Sequence, residues 1–152
     1  MCGELHAGMT APSTQIHYKP NPAPVKLTRP KMTRGYAPGP CGHVHYQDSG
    51  GSGLQLVMIH QAPMTSRQFE NVYAPLMARG IRPIGIDCPG FGLSDPTTFV
   101  PKVEDWARAI PTVLDQLAIK ATNVLGHHTG SEAHDALYDG ALRRLRSVLV
   151  WP

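Results

Sequence analysis

The chain has 152 residues, of which 41% are hydrophobic and 16% are charged, and its formal net charge is +3. This length and composition predict one globular domain with a core, rather than two domains or a disordered chain. The small net charge argues against binding to nucleic acid. No apolar run approaches the roughly 20 residues that span a bilayer, so we expect no membrane association.

The number and spacing of the cysteines are uninformative about the compartment, and a reducing one is the simpler interpretation. Cys2, Cys41 and Cys88 leave one thiol unpaired in any disulfide scheme, and no C-x-x-C motif occurs. Residues 1–15 lack the positive start and apolar core of a secretory signal. We therefore expect a reducing, cytoplasmic location.

The first forty residues contain seven of the fifteen prolines. Proline fixes φ and removes a backbone donor, so this stretch cannot remain in a regular ladder for long. The pattern predicts a poorly ordered N-terminal tail over residues 1–32 and a folded domain over 33–152.

From residue 42 onwards, strand and helix signals alternate. Alternating residues predict a strand at 43–46, and an apolar run predicts a buried strand at 54–59. Capping-box spacing between Thr65 and Gln68 opens a predicted helix that ends near Gly80. The remaining predicted elements are a strand at 81–86, a loop at 88–101, a helix at 103–117 with a kink or break at Pro111, a strand at 122–125, a helix at 131–145 and a strand at 148–151. This alternation predicts an α/β fold with a mostly parallel sheet between helices.

Three segments follow predicted strands at their carboxyl ends, where α/β sheets bind ligands. They are residues 60–63, 87–95 and 126–130. The third has glycines two positions either side of His128, between a strand and a helix, which is the pattern of a nucleophile elbow. Small residues there let the strand and helix pass closely, so the His128 side chain is expected above the sheet. The Thr129 N–H would open the helix and could donate to an oxyanion.

The order of these segments resembles the α/β-hydrolase fold family over residues 33–152. The sequence His60-Gln61-Ala62-Pro63 is similar to H-G-x-P, and residues 87–94 are similar to D-x-P-G-x-G-x-S, as in the dehalogenase, epoxide hydrolase and esterase-like branch. The resemblance implies strands 1–6 of the usual eight and a truncated domain. It also implies hydrolysis of a small ester, epoxide or halide-type substrate without a cofactor.

The resemblance further implies roles for individual residues. His128 takes the nucleophile position, and the backbone N–H groups of Ala62 and Thr129 form the oxyanion hole. The implied substrate pocket contains His60, Gln61, Asp87 and His127. For Asp87, a structural carboxylate that accepts backbone N–H groups is an alternative.

The sequence departs from the family pattern in two ways. His128 replaces the usual Ser, Asp or Cys; neutral imidazole can attack a carbonyl, but the position could instead have lost covalent chemistry or bind a ligand. No residue after Gly130 matches the family's later acid or final histidine, so a complete triad is not expected within these 152 residues.

Three alternatives to catalysis follow from these departures. The chain could be a non-catalytic domain, a module that binds an anion at the Thr129 helix start, or a metal-binding protein. The histidines show no recognised ligand spacing, so we predict no metal. We also expect self-association through residues 148–151, an apolar strand at the edge of the predicted sheet.

Overall fold

The structure is a computed structural model that describes residues 29–136 and 144–151. Most of the predicted tail, residues 1–28, lies outside this part of the chain, so the 1–32 boundary stays a prediction. Residues 137–143 of the predicted helix at 131–145 also lie outside it.

Six strands and three α-helices make up the described fold. The strands are β1 (Thr33–Gly39), β2 (Gly42–Asp48), β3 (Leu54–Ile59), β4 (Ile81–Ile86), β5 (Thr122–His127) and β6 (Leu145–Trp151). The helices are α1 (Glu70–Met77), α2 (Val103–Gln116) and α3 (Thr129–Ala136), and a short 3-10 helix (Ser66–Phe69) precedes α1.

All six strands form one sheet in the order β1-β2-β4-β3-β5-β6. The β1–β2 and β2–β4 pairs are antiparallel, whereas β3 pairs in parallel with β4 and β5, and β5 pairs in parallel with β6. The predicted mostly parallel sheet is confirmed. The carboxyl ends of β3, β4 and β5 therefore lie at one edge, and the three predicted segments follow them there.

Helices cover both faces of the sheet, as the alternation of buried residues along β3 requires. Val57 and Ile59 belong to the larger core cluster with residues of α2 and α3. Leu56 and Met58 point to the other face, where they pack with residues of the 3-10 helix and α1. A strand buried on both faces explains the nearly continuous apolar run at 54–59.

Three boundaries correct the sequence predictions. Helix α2 runs through Pro111 without the predicted break, because the buried side chains on both sides of it offset a cost of about 3 kcal/mol, and a kink there stays a prediction. Leu145 begins β6 rather than ending a helix, since it pairs with Thr122 and its side chain packs against the core. The strand predicted at 122–125 extends to His127.

Within the described residues, β6 pairs with β5 alone, and Leu149 and Val150 are exposed. Self-association through residues 148–151 stays a prediction. Among the helices that the structure describes, none combines the length and apolar character needed to cross a membrane.

Candidate functional site

The sharp turn predicted around His128 is present between β5 and α3. Strand β5 ends at His127, helix α3 begins at Thr129, and His128 between them is exposed with φ of 51°. This left-handed conformation costs a residue with a Cβ about 1–2 kcal/mol, so the surroundings must hold it. The backbone N–H of Ser131 donates to the His128 carbonyl at 2.8 Å, and the Ser131 hydroxyl donates to the same oxygen.

Two glycines allow the strand and helix to meet at this turn. A Cβ on Gly126 would lie 2.5 Å from the Ser131 Cα, and a Cβ on Gly130 would lie 2.5 Å from the Ile59 carbonyl oxygen. Real Cβ atoms do not approach backbone atoms so closely. The spacing of glycines in the sequence is thus explained by close backbone packing on both sides of His128.

The two predicted oxyanion-hole residues are neighbours. The Ala62 N–H donates to the Thr129 side-chain Oγ1 at 2.8 Å. The loop after β3 and the start of α3 therefore meet next to His128 in the chain. However, the Thr129 hydroxyl already accepts the Ala62 N–H, so a substrate oxygen would have to displace that hydroxyl by rotation of the Thr129 side chain.

A cavity of about 200 Å³ lies between the loop after β3 and the end of β5. Gln61 and His127, both predicted as pocket residues, line it. The sequence reasoning missed the other lining residues, which are Met64, Gln68, Phe69 and Val72. In the sequence, Gln68 stands out only by its capping-box spacing from Thr65. In the structure, its side-chain nitrogen lies 3.3 Å from His127 Nδ1.

His60, which was predicted to line the pocket, has hydrogen-bond partners at both ring nitrogens. It is buried, its Nδ1 lies 2.9 Å from the Gln61 carbonyl oxygen, and its Nε2 accepts the Cys88 N–H at 2.9 Å. These partners fix the neutral ring with the proton on Nδ1. His60 therefore joins the end of β3 to the loop after β4 and presents no free ring nitrogen to a substrate.

His60 is expected to remain neutral below pH 6.5. Burial lowers its pKa from the ordinary value of 6.5, although the Gln61 carbonyl and the Asp87 charge oppose this effect. The unfolded chain then takes up the proton first, so this residue lowers stability as the pH falls below about 6.5. NMR titration of the ring, assigned with His60→Gln, checks this; a midpoint at or above 6.5 would contradict it.

Asp87 is a buried structural carboxylate at the end of β4. Its Oδ1 accepts the Ser66 N–H at 2.7 Å, and its Oδ2 accepts the Leu93 N–H at 2.9 Å and lies 3.0 Å from His45 Nδ1. Burial opposes ionisation, but the hydrogen bonds from His45, Leu93 and Ser66 outweigh it and hold the pKa of Asp87 below its usual range. These contacts match the structural alternative for Asp87.

The described residues contain no group of three His, Cys, Asp or Glu side chains close enough to hold a metal ion. In the same part of the chain, no hydrogen bond to the His128 ring is found. Two histidines on β2 have different acidic partners: His43 contacts Asp95, whereas His45 contacts Asp87.

Known proteins share this fold. A Pseudomonas putida protein named 2-hydroxy-6-oxononadienedioate/2-hydroxy-6-oxononatrienedioate hydrolase 2 is 35% identical over 98 residues, which cover 62% of this chain and 34% of that protein. An esterase from Exiguobacterium antarcticum has a TM-score of 0.68 at 26% identity over 76% of this chain and 43% of its own. The chain belongs to the α/β-hydrolase fold family. An epoxide hydrolase from Vigna radiata, at 14% identity, shows the same fold with a TM-score of 0.72 over 81% of this chain and 40% of its own.

The similarity to these α/β-hydrolases is partial in length. The chain spans about a third of the length of the curated relatives it matches, 34% in the Pseudomonas putida protein. No family model matches the sequence. The predicted family and fold are confirmed, whereas the roles of individual residues stay predictions.

Proposed function

We propose that this α/β-hydrolase chain hydrolyses a small ester, with His128 as the attacking group. The observation that supports this is the exposed His128 on a turn with positive φ, at the carboxyl end of a parallel sheet and followed by Thr129, whose hydroxyl accepts the Ala62 N–H. The named relatives are hydrolases as well. Backbone donors beside the turn suit a carbonyl oxygen better than an epoxide or a halide, so an ester is favoured among the implied substrates.

The proposed chemistry requires two steps. A neutral ring nitrogen of His128 forms a bond to the carbonyl carbon, and the oxygen takes the electron pair while the Ala62 and Thr129 N–H groups donate to it. The carbonyl then re-forms, the alkoxide leaves and takes the proton from the other ring nitrogen, and a neutral acyl-imidazole remains. Water adds to the acyl carbon and supplies its hydroxyl to the carboxylic acid, and the imidazole departs with the other proton of the water.

Hydrolysis of p-nitrophenyl acetate tests this proposal. We expect His128→Ala to reduce kcat/KM roughly a hundredfold, because the attacking group is lost. His43→Ala is the control, since His43 is an exposed histidine on β2 that has no part in the proposed mechanism. Equal rates for wild type and His128→Ala, or equal losses in both variants, would remove His128 from the mechanism.

A second candidate is a non-catalytic domain that binds a carboxylate or carbonyl at the same turn. The Thr129 hydroxyl favours this second candidate, because it accepts the Ala62 N–H hydrogen bond that an oxyanion would otherwise accept. Under this alternative, calorimetry would detect acetate binding in both the wild type and His128→Ala. The wild type would also hydrolyse the ester no faster than His128→Ala does.

A further inference from the structure

A second and larger cavity borders the start of the 3-10 helix. Its volume is about 500 Å³, and it shares no lining residue with the cavity beside His127. Arg34 of β1, His45 of β2 and Arg67 of the 3-10 helix border it, together with Asp87. None of the residues proposed to react with an ester lines this cavity, so the hydrolase proposal does not explain it.

His45, which lines this cavity, carries a buried ring nitrogen without a partner among the described residues. Its side chain is 3% exposed, and its Nδ1 lies 3.0 Å from Asp87 Oδ2. Asp87 is a carboxylate with acceptors only, so the proton of a neutral His45 ring must lie on Nδ1 and the lone pair on Nε2. Within the described residues, Nε2 is buried and has no hydrogen-bond partner. Buried polar atoms of this kind are ordinarily paired, so a donor from outside the chain would complete the site.

The charges around the cavity favour an anion. Arg34 is exposed, and no ion pair to it is found among the described residues. Arg67 uses its Nε to bind Glu70 at 3.0 Å, which leaves the other N–H groups of the guanidinium for a ligand. The Asp87 carboxylate is already surrounded by donors from His45, Ser66 and Leu93. Two arginines thus supply positive charge to the cavity. Asp87 is the only carboxylate among its described lining residues, and hydrogen bonds within the fold already occupy that group.

We propose that the cavity bordered by Arg34, His45 and Arg67 binds a small anion that also carries a hydroxyl group. The anionic oxygens accept from the two guanidinium groups, and the hydroxyl donates to His45 Nε2. Hydrogen phosphate and hydroxycarboxylates share this chemistry. The volume leaves room for an organic group attached to the anion.

Paired anions at pH 8 test the hydroxyl requirement. Hydrogen phosphate and sulfate are both tetrahedral dianions, but only hydrogen phosphate has an O–H to donate. Glycolate and acetate form a second pair that differs by one hydroxyl and distinguishes a carboxylate ligand from a phosphate ligand. We expect calorimetry to give saturable binding, about tenfold tighter for the hydroxylated member of at least one pair, the effect of one buried hydrogen bond. The ¹⁵N resonance of His45 Nε2 should shift only with that member.

Arginine variants test the charge requirement. We expect Arg34→Gln and Arg67→Gln each to weaken binding about tenfold, because each removes a charge-assisted hydrogen bond. Arg108→Gln is matched to Arg67→Gln, since Arg108 also pairs with an acid three residues away and is 68% exposed against 70% for Arg67. It should change the affinity by less than about twofold.

His45→Phe removes the proposed acceptor and should abolish the preference for the hydroxylated anion. This variant also removes one of the three hydrogen-bond partners of Asp87; if it fails to fold, the Nε2 resonance of the wild type decides the same point. The proposal is overturned by equal affinities within both pairs, by the absence of saturable binding, or by equal effects of Arg34→Gln and Arg108→Gln. None of these measurements depends on ester hydrolysis.

Discussion

Replacing Gly130 with alanine is expected to lower the free energy of unfolding by about 3 kcal/mol or more. Helix propensity alone predicts the opposite, because alanine is favoured over glycine by about 1 kcal/mol inside a helix. At Gly130, however, a Cβ would lie 2.5 Å from the Ile59 oxygen and 2.6 Å from the His60 oxygen. Both atoms belong to the backbone at the end of β3, so relief requires movement of α3 or of a central strand.

Urea unfolding followed by circular dichroism measures this loss. Gly50→Ala is the control, since Gly50 has φ of 68° and a Cβ added there would meet nothing within 4 Å among the described residues. Alanine there bears only the conformational cost, about 1 kcal/mol. If the two variants lost equal stability, close packing at the turn would not be the reason for glycine at position 130.

The fold was predictable from the sequence where burial in the core determines the pattern of apolar residues. The runs at 54–59 and 81–86 coincide with β3 and β4, because central parallel strands must be apolar on both faces. Strand β6 is less apolar at its start, where Arg146 and Ser147 are exposed, so only its last residues gave a strand signal. Its pairing with β5 is a long-range contact that no local pattern records.

The candidate site was predictable in its backbone but not in its side chains. Glycine spacing located the turn at His128, and motif order brought Ala62 next to Thr129. Whether the Thr129 hydroxyl accepts the Ala62 N–H depends on a single side-chain torsion, which sequence does not encode locally. Likewise, the position of His60 after a strand predicts a pocket residue, whereas its two hydrogen bonds hold it inside the fold.

Replacing Asp87 with asparagine is expected to lower the free energy of unfolding by about 3 kcal/mol. The carboxylate accepts two backbone N–H groups and contacts His45, all in a buried position, and an amide can offer only one oxygen to them. The NH₂ group of the asparagine would also face one of these donors, with which it cannot form a hydrogen bond. Thermal and urea unfolding at pH 7 measure the loss. Asp95→Asn is the control, because Asp95 also accepts from His43 but is exposed, so its effect should be much smaller.

The acid dependence of stability provides a second test of Asp87. Its folded-state pKa lies below the ordinary value of 3.8, so on acidification the unfolded chain binds the proton before the folded one does. The stability that Asp87 contributes is therefore complete above about pH 4 and is lost as the pH falls further. In Asp87→Asn this loss is absent, and the decline of stability below pH 4 should be shallower than in the wild type. A variant with the same decline and unchanged stability would show that the carboxylate does not hold the loop after β4 to β2, and the tautomer assigned to His45 would lose its basis.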